Sequence, residues 1–230
     1  ALVKAGLIVG EDRVARRDPF AGNAVVPSLP LAPTPEQEIA IRRFGELLDA
    51  DAAQSRVMLL HGVTGSGKTE VYLRAIAEVL ERGREAIVLV PEIALTPQTV
   101  ERFRARFGEQ VSVLHSALSE GERHDEWQRI HRGEVRIAVG ARSALFAPFT
   151  RLGLIVVDEE HEHSYKQDEA PRYHARDVAV MRGKFEDCPV ILASATPALE
   201  TRHQVSLGTY KEIKLPARFG GAQMPDIVGI

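Results

Sequence analysis

Short runs of consecutive apolar residues recur along this chain, each separated from the next by a stretch with apolar positions every three or four residues. The runs are Val57–His61, Ala86–Val90, Val111–Leu114, Val135–Val139, Leu154–Val157 and Val190–Ala193. They have strand length, and they lack the in–out alternation of a strand with one wet face. They therefore read as strands buried on both faces. Between them, Lys68–Arg82 gathers Val71, Leu73, Ile76, Val79 and Leu80 on one side, and Leu95–Phe107 and Ser119–Arg132 follow as further helices. This rhythm predicts an α/β fold around a doubly wound, mainly parallel sheet. Ligands of such sheets bind where the strands' carboxyl ends emerge. The loops after Leu60, Val90, Val139, Val157 and Ala193 are thus expected to share one edge. Trp127, on the apolar face of Ser119–Arg132, is expected in the core.

The pattern changes towards the amino end. Thr34-Pro-Glu-Gln37 is a helix start, with Thr34 as N-cap, Pro35 in the first turn and Gln37 at the capping-box position. Before it, Pro27, Pro30, Pro33 and Pro35 make a stiff linker over residues 27–35. Residues 1–26 read as the end of another module. Their Arg13, Arg16 and Arg17 suit either phosphate contact or a solvated turn. The main domain is then 36–215, and 216–230 begins a connection to a further segment. A chain opening inside an amphipathic unit is expected to be a fragment of something longer.

Composition narrows the class without naming a function. Of 230 residues, 44% are hydrophobic and 27% charged, as in ordinary soluble domains. The net charge of −3 leaves no global basic field, although a cleft can still be locally basic. A single cysteine, Cys188, excludes a disulfide framework or a cysteine zinc cluster within these residues and suits a reducing cytosol. No apolar run approaches transmembrane length and no signal peptide opens the chain, so no membrane partner and a cytoplasmic location are expected.

Two motifs carry chemistry. Gly62-Val63-Thr64-Gly65-Ser66-Gly67-Lys68-Thr69 fits G-x-x-x-x-G-K-[ST] between a strand and a helix. Its glycines let successive backbone N–H groups turn inward onto phosphate oxygens, and the following helix adds its amino-terminal dipole. Lys68 is expected at the β- and γ-phosphates, with the Thr69 hydroxyl on Mg²⁺. Ninety residues after Lys68, the run Leu154–Val157 delivers Asp158, Glu159, Glu160 and His161. A carboxylate at the end of a buried strand suits the nucleotide's Mg²⁺, which assigns Asp158, and Glu159 is placed to polarise an attacking water.

Together with Ser194-Ala-Thr-Pro197, these segments resemble motifs I, II and III of superfamily 2 helicases. Val63–Tyr72, Pro91-Glu-Ile-Ala-Leu-Thr96, Gly140-Ala-Arg-Ser-Ala-Leu-Phe146 and His163-Ser-Tyr-Lys-Gln-Asp168 are similar, more closely, to the replication-restart (primosomal) helicase family. The resemblance runs from about Leu2 to Thr201. It implies the first RecA-like, ATP-binding lobe of a 3′-to-5′ DNA helicase that acts in replication restart and primosome assembly, preceded by a winged-helix remnant. ATP and Mg²⁺ are the implied cofactors, and zinc belongs to the second lobe, outside these residues. Single-stranded and forked DNA, restart proteins and single-stranded DNA-binding protein are the implied partners. The resemblance places Gln37 where such helicases read adenine, against its reading as a cap alone. It assigns coupling to His161, Ser194 and Thr196, and single-strand contact to Thr96, Gln98, Arg142 and Ser143. The stretch Ser164–Arg176 has two tyrosines among interleaved cations, which suits stacking on unpaired bases. Tyr165 and Tyr173 are expected to face the strand, with Lys166 or Arg172 on phosphate.

Other readings remain open on the residues alone. A motor lobe of another superfamily 2 translocase, such as a restriction-enzyme subunit, shares the three motifs but not the Ser164–Arg176 stretch. A P-loop kinase or metabolic ATPase would need a substrate lid that no segment suggests. A non-enzymatic nucleic-acid binder has no use for Lys68, Asp158 and Glu159 together.

Overall fold

Helix α1 (Pro35–Leu48) starts where its capping box predicts. The Thr34 side chain accepts from Gln37 N and the Gln37 side chain accepts from Thr34 N. The computed structural model describes residues 27–50, 55–116 and 118–218. The tail expected at 1–26, its arginine cluster and nearly all of 216–230 lie outside the described residues. After α1 the chain runs β1 (Val57–Gly62), α2 (Lys68–Glu81), β2 (Glu85–Leu89), α3 (Pro97–Phe107), β3 (Val111–Leu114), α4 (Glu120–His131) and β4 (Ile137–Gly140). It continues through β5 (Leu152–Val157), a short ribbon of β6 (Lys166–Gln167) and β7 (Tyr173–His174), α5 (Ala175–Phe185), β8 (Val190–Ser194), α6 (Leu199–Ser206) and β9 (Lys211–Leu215).

Seven strands form one sheet in the order β3-β4-β2-β5-β8-β1-β9, with every neighbouring pair parallel. Period-two geometry splits each apolar run between two layers. Met58 and Leu60 pack with Phe44 of α1, Ile76 of α2 and Phe103 of α3, whereas Val57 and Leu59 pack with Ile130 of α4 and Ala179 of α5. Burial on both faces is why these strands read as unbroken apolar runs.

The departures have physical causes. Strand β9 carries no apolar run because it is an edge: Leu215 is its one buried residue, and charged side chains occupy its open positions. Its register is held by parallel pairing with β1 and by His61 Nδ1, 2.9 Å from Glu212 Oε1. Helix α3 starts at Pro97, two residues later than expected, because Thr96 turns its side chain onto Thr99 N and caps it. Trp127 corrects the expectation of a core position. Helix α4 packs on the edge strand β3 and buries only Glu126 and Ile130, so the indole is left 37% exposed. Gly140 ends β4 with no room for a side chain, since a Cβ there would lie 2.0 Å from the Leu114 carbonyl oxygen.

Candidate active site

All parallel strands deliver their carboxyl ends to one edge, and backbone bonds stitch the loops there together. Asp158 N donates to Leu89 O (2.9 Å), Val90 N to Gly140 O (2.9 Å), Ala141 N to Leu114 O (3.2 Å) and Glu160 N to Ala193 O (3.0 Å). The five expected loops therefore do share an edge. Along it runs a cleft of about 600 Å³ lined by Thr64–Glu70, Gln37, Asp158 and Glu159.

The phosphate loop is shaped by its glycines. Gly67 has φ +81°, and a Cβ there would meet Gln37 Nε2 at 2.2 Å. Gln37 is buried and serves two purposes: its Oε1 accepts from Thr34 N (3.0 Å), and its Nε2 donates to Ser66 O (3.0 Å). The structure thus places it both in the cap and against the loop. Ser66 Oγ is a buried hydroxyl without a protein partner. Lys68 is 8% exposed, donates to Gly62 O (2.8 Å) and lies 3.8 Å from Glu159 Oε1.

The second motif closes on the first. Tyr72 donates to Asp158 Oδ2 (3.2 Å), and its hydroxyl is 3.3 Å from Thr69 Oγ1. Its ring is stacked on Phe103, with centroids 6.3 Å apart. Burial, then the neighbouring Glu159 charge, pushes the Asp158 carboxyl up to about 6. Thr69 and Asp158 thus offer oxygen donors to one point, where a dication would relieve the crowded carboxylates. Glu159 adopts φ +45°, a left-handed conformation that costs a non-glycine residue about 1–2 kcal/mol, and its N–H donates to Asp158 Oδ1 (3.1 Å). The residues to which the resemblance assigns coupling also come together: His161 Nδ1 is 2.8 Å from Ser194 Oγ, which accepts from Thr196 N at 3.0 Å.

On the expected strand-facing side the outcome is mixed. Gln98 and Ser143 are exposed, and Thr96 uses its hydroxyl within the α3 cap. Arg142 donates to Lys166 O, joining the 3-10 turn Arg142–Phe146 to the ribbon. Tyr173 is half-buried with its ring edge-on to Phe146, centroids 5.6 Å apart. Lys166 is exposed beside Asp168 (2.9 Å), and Arg172 is exposed with Nε donating to Asp168 O (3.1 Å). Tyr165 corrects the expectation that it faces the strand. It is 1% exposed, packs among Leu145, Val157 and Ala175, and donates to the Asp158 carbonyl at 2.6 Å. Its short tether to the acidic loop pulls the ring into the core, and that carbonyl satisfies its one polar atom.

Sequence reasoning missed several groups. Tyr72 had a local signal, its i,i+3 spacing from Thr69. Arg102 and Arg106 of α3 line the cleft with Leu29 and Leu31, which are held there as Ser28 N donates to Ala105 O (2.9 Å) and Arg74 donates to Leu31 O. That docking of the proline-rich linker on α3 and α2 has no local signature. Nor has Glu160, which is fully buried against α5 and α6.

The model of the DEAD/DEAH box helicase family matches residues 34–205. The chain is 53% identical over 226 residues to the replication restart protein PriA of Bacillus subtilis (strain 168), covering 98% of this chain and 28% of that protein. It is 51% identical over 189 residues to the replication restart protein PriA of Chlamydia pneumoniae, with 82% and 25% covered. It thus spans about a quarter of the length of these relatives. Among solved structures, RecG bound to a three-way DNA junction has a TM-score of 0.59 at 21% identity, over 86% of this chain and 25% of that one. The UvsW helicase from bacteriophage T4 has a TM-score of 0.55 at 16% identity, over 80% and 60%. At those identities the likeness is one of fold. With its phosphate loop and acidic loop facing one cleft, this chain belongs to the DEAD/DEAH box helicase family as the ATP-binding, RecA-like lobe of a superfamily 2 helicase.

Proposed function

We propose that this lobe binds ATP·Mg²⁺ and, within the whole protein, couples its hydrolysis to 3′-to-5′ movement along single-stranded DNA in replication restart. One observation carries the reading: Lys68, Thr69, Asp158 and Glu159, distant in sequence, line one cleft at the sheet's carboxyl edge. Backbone N–H groups of the phosphate loop, other than Ser66 N, which donates to Val63 O (3.0 Å), cradle phosphate with the Ser66 hydroxyl, and Lys68 turns from the Gly62 carbonyl towards it. Mg²⁺ would be held by Thr69 and Asp158 and would supply neutralisation of phosphate charge. Glu159 accepts the proton of the water that attacks the γ-phosphate. Gln37, joined to Ser66 O, sits beside the nucleotide's base.

Single-stranded DNA crosses the same edge on this reading. Thr96, Gln98, Arg142 and Ser143 contact its backbone, and Tyr173, Lys166 and Arg172 extend the track along the ribbon. Tyr165 acts from below, as the link between the ribbon and Asp158. The relatives' names, and the DNA junction on which RecG was solved, support DNA as the partner, forked DNA included. The restart proteins, single-stranded DNA-binding protein, a cytoplasmic location, zinc in the second lobe, and the division into 1–26, 27–35, 36–215 and 216–230 belong to the same proposal. Among the described residues, no helix is long and apolar enough to cross a membrane.

The test is ATP turnover by the whole protein with and without single strands. Lys68→Ala is expected to weaken nucleotide binding. Glu159→Gln is expected to keep binding and lose about 10²–10⁴ in turnover. Turnover by Glu159→Gln within a few-fold of the parent would remove Glu159 as the base.

A further inference from the structure

Glu160 takes no part in the chemistry proposed for its two neighbours, yet it is the most enclosed carboxylate among the described residues, with no exposed surface. Its oxygens accept from Arg176 Nη1 (3.2 Å), Ala198 N (2.7 Å) and Thr201 Oγ1 (2.9 Å). These donors come from separate elements. Arg176, 7% exposed, lies in the first turn of α5, two residues after β7. Ala198 and Thr201 open α6, directly after Ser194–Pro197. One buried side chain therefore ties the acidic loop to the starts of α5 and α6, the helices that directly follow the ribbon and the third motif. Neither Glu160 nor Arg176 lines the cleft.

Glu159, the residue before it, holds φ at +45°. A strained non-glycine residue persists in that region where the surrounding structure over-determines it. On one flank, Asp158 N is bonded to Leu89 O and Asp158 O accepts from Tyr165. On the other flank, the pins are Glu160 N on Ala193 O and the buried carboxylate itself.

We infer that the Glu160–Arg176 pair is a positioning device for ATP hydrolysis. It holds Glu159 in its left-handed conformation and makes the β6–β7 ribbon move as one piece with the catalytic loop. The inference rests on the proposed ATPase function. Removing one member of a buried pair strands the other charge, so the test includes variants that avoid this. In the whole protein, Arg176→Lys and the double change Glu160→Gln/Arg176→Gln are compared with the parent. The readouts are affinity and stoichiometry for a non-hydrolysable ATP analogue, single-turnover hydrolysis per bound site, and stimulation by single-stranded DNA.

Both variants are expected to bind the analogue within about threefold of the parent, since neither residue reaches the phosphates. Hydrolysis per bound site falls at least about tenfold, and stimulation by DNA is lost. Where neither variant yields folded protein, Thr201→Val deletes a single donor to Glu160 and is expected to slow the step by a few-fold. A merely structural pair would lower stoichiometry and leave the rate per bound site at the parent's value, which overturns the inference. Folded variants that no longer bind the analogue overturn it as well. A parent that hydrolyses no ATP sinks the ATPase reading itself. A hydrolysing parent matched by its variants sinks only the inference.

Discussion

Asp158 sits at the end of a fully buried strand, with Glu159 beside it and one tyrosine proton to share. Burial and that neighbouring charge raise its carboxyl to about 6, so the sign of its contribution to stability is determined. Below the ordinary carboxylate range both folded and unfolded chains carry a proton there, and the site costs nothing. As pH rises from the ordinary value of 3.8 to about 6, the unfolded chain ionises there while the folded chain keeps its proton, so stability falls across that window and levels off above it. Asp158→Asn is therefore expected to match the parent's melting near pH 4, and to exceed it by about 1–3 kcal/mol at pH 7 in metal-free buffer. Excess Mg²⁺ and nucleotide should reverse the order, as thermal melts across pH will read. Tyr165 allows a second test. Tyr165→Phe loses one hydrogen bond, about 1 kcal/mol, whereas Tyr165→Ala opens a cavity worth about 3–5 kcal/mol. A base-stacking surface tyrosine would show neither loss in denaturant melts.

At the scale of elements, the loops of this edge are specified by close approaches. Gly140 lies against the Leu114 carbonyl, a backbone atom that cannot rotate away. Gly140→Ala should cost about 1–3 kcal/mol and shift the Arg142–Phe146 turn with it. Because Arg142 holds Lys166 O and Phe146 meets Tyr173, that shift reaches the ribbon. The whole protein is then expected to lose affinity for single strands more than affinity for nucleotide, which fluorescence titrations of each will separate. An unchanged DNA affinity in a destabilised Gly140→Ala protein would dissociate the turn from the strand path.

For the molecule as a whole, the proposed function makes this lobe one wall of an ATP cleft. On the proposed function, an arginine completing the γ-phosphate site comes from a second lobe, and such a residue contributes about 10³–10⁵ in rate in other P-loop enzymes. The 230-residue chain produced by itself is thus expected to bind ATP·Mg²⁺, to hydrolyse it slowly and to unwind nothing. Calorimetric titration together with a phosphate-release assay checks this. Brisk DNA-stimulated turnover by the isolated chain would overturn it.

What the sequence determined by itself was whatever local chemistry or periodicity encodes. Val57–His61 and its fellow runs are apolar throughout because both sheet faces are covered, so the parallel sheet and its functional edge were legible. Lys68, Thr69, Asp158 and Glu159 were legible as a group because the phosphate-loop and acidic-loop motifs restrict both residue type and spacing, and the fold brings the four to one cleft. Tertiary structure decided the rest. Tyr165 and Tyr173 share a motif, yet one packs in the core and the other rests on Phe146 near the surface, since only the fold says which has a cavity beneath it. Trp127 looked apolar-faced along α4, but burial needs a partner, and the edge strand offered none. Glu160 reads as one more acid in an acidic loop until Arg176, Ala198 and Thr201 arrive from two other helices. Contacts between residues far apart in the chain leave no periodicity behind, and those contacts turned the recognised motifs into one connected site.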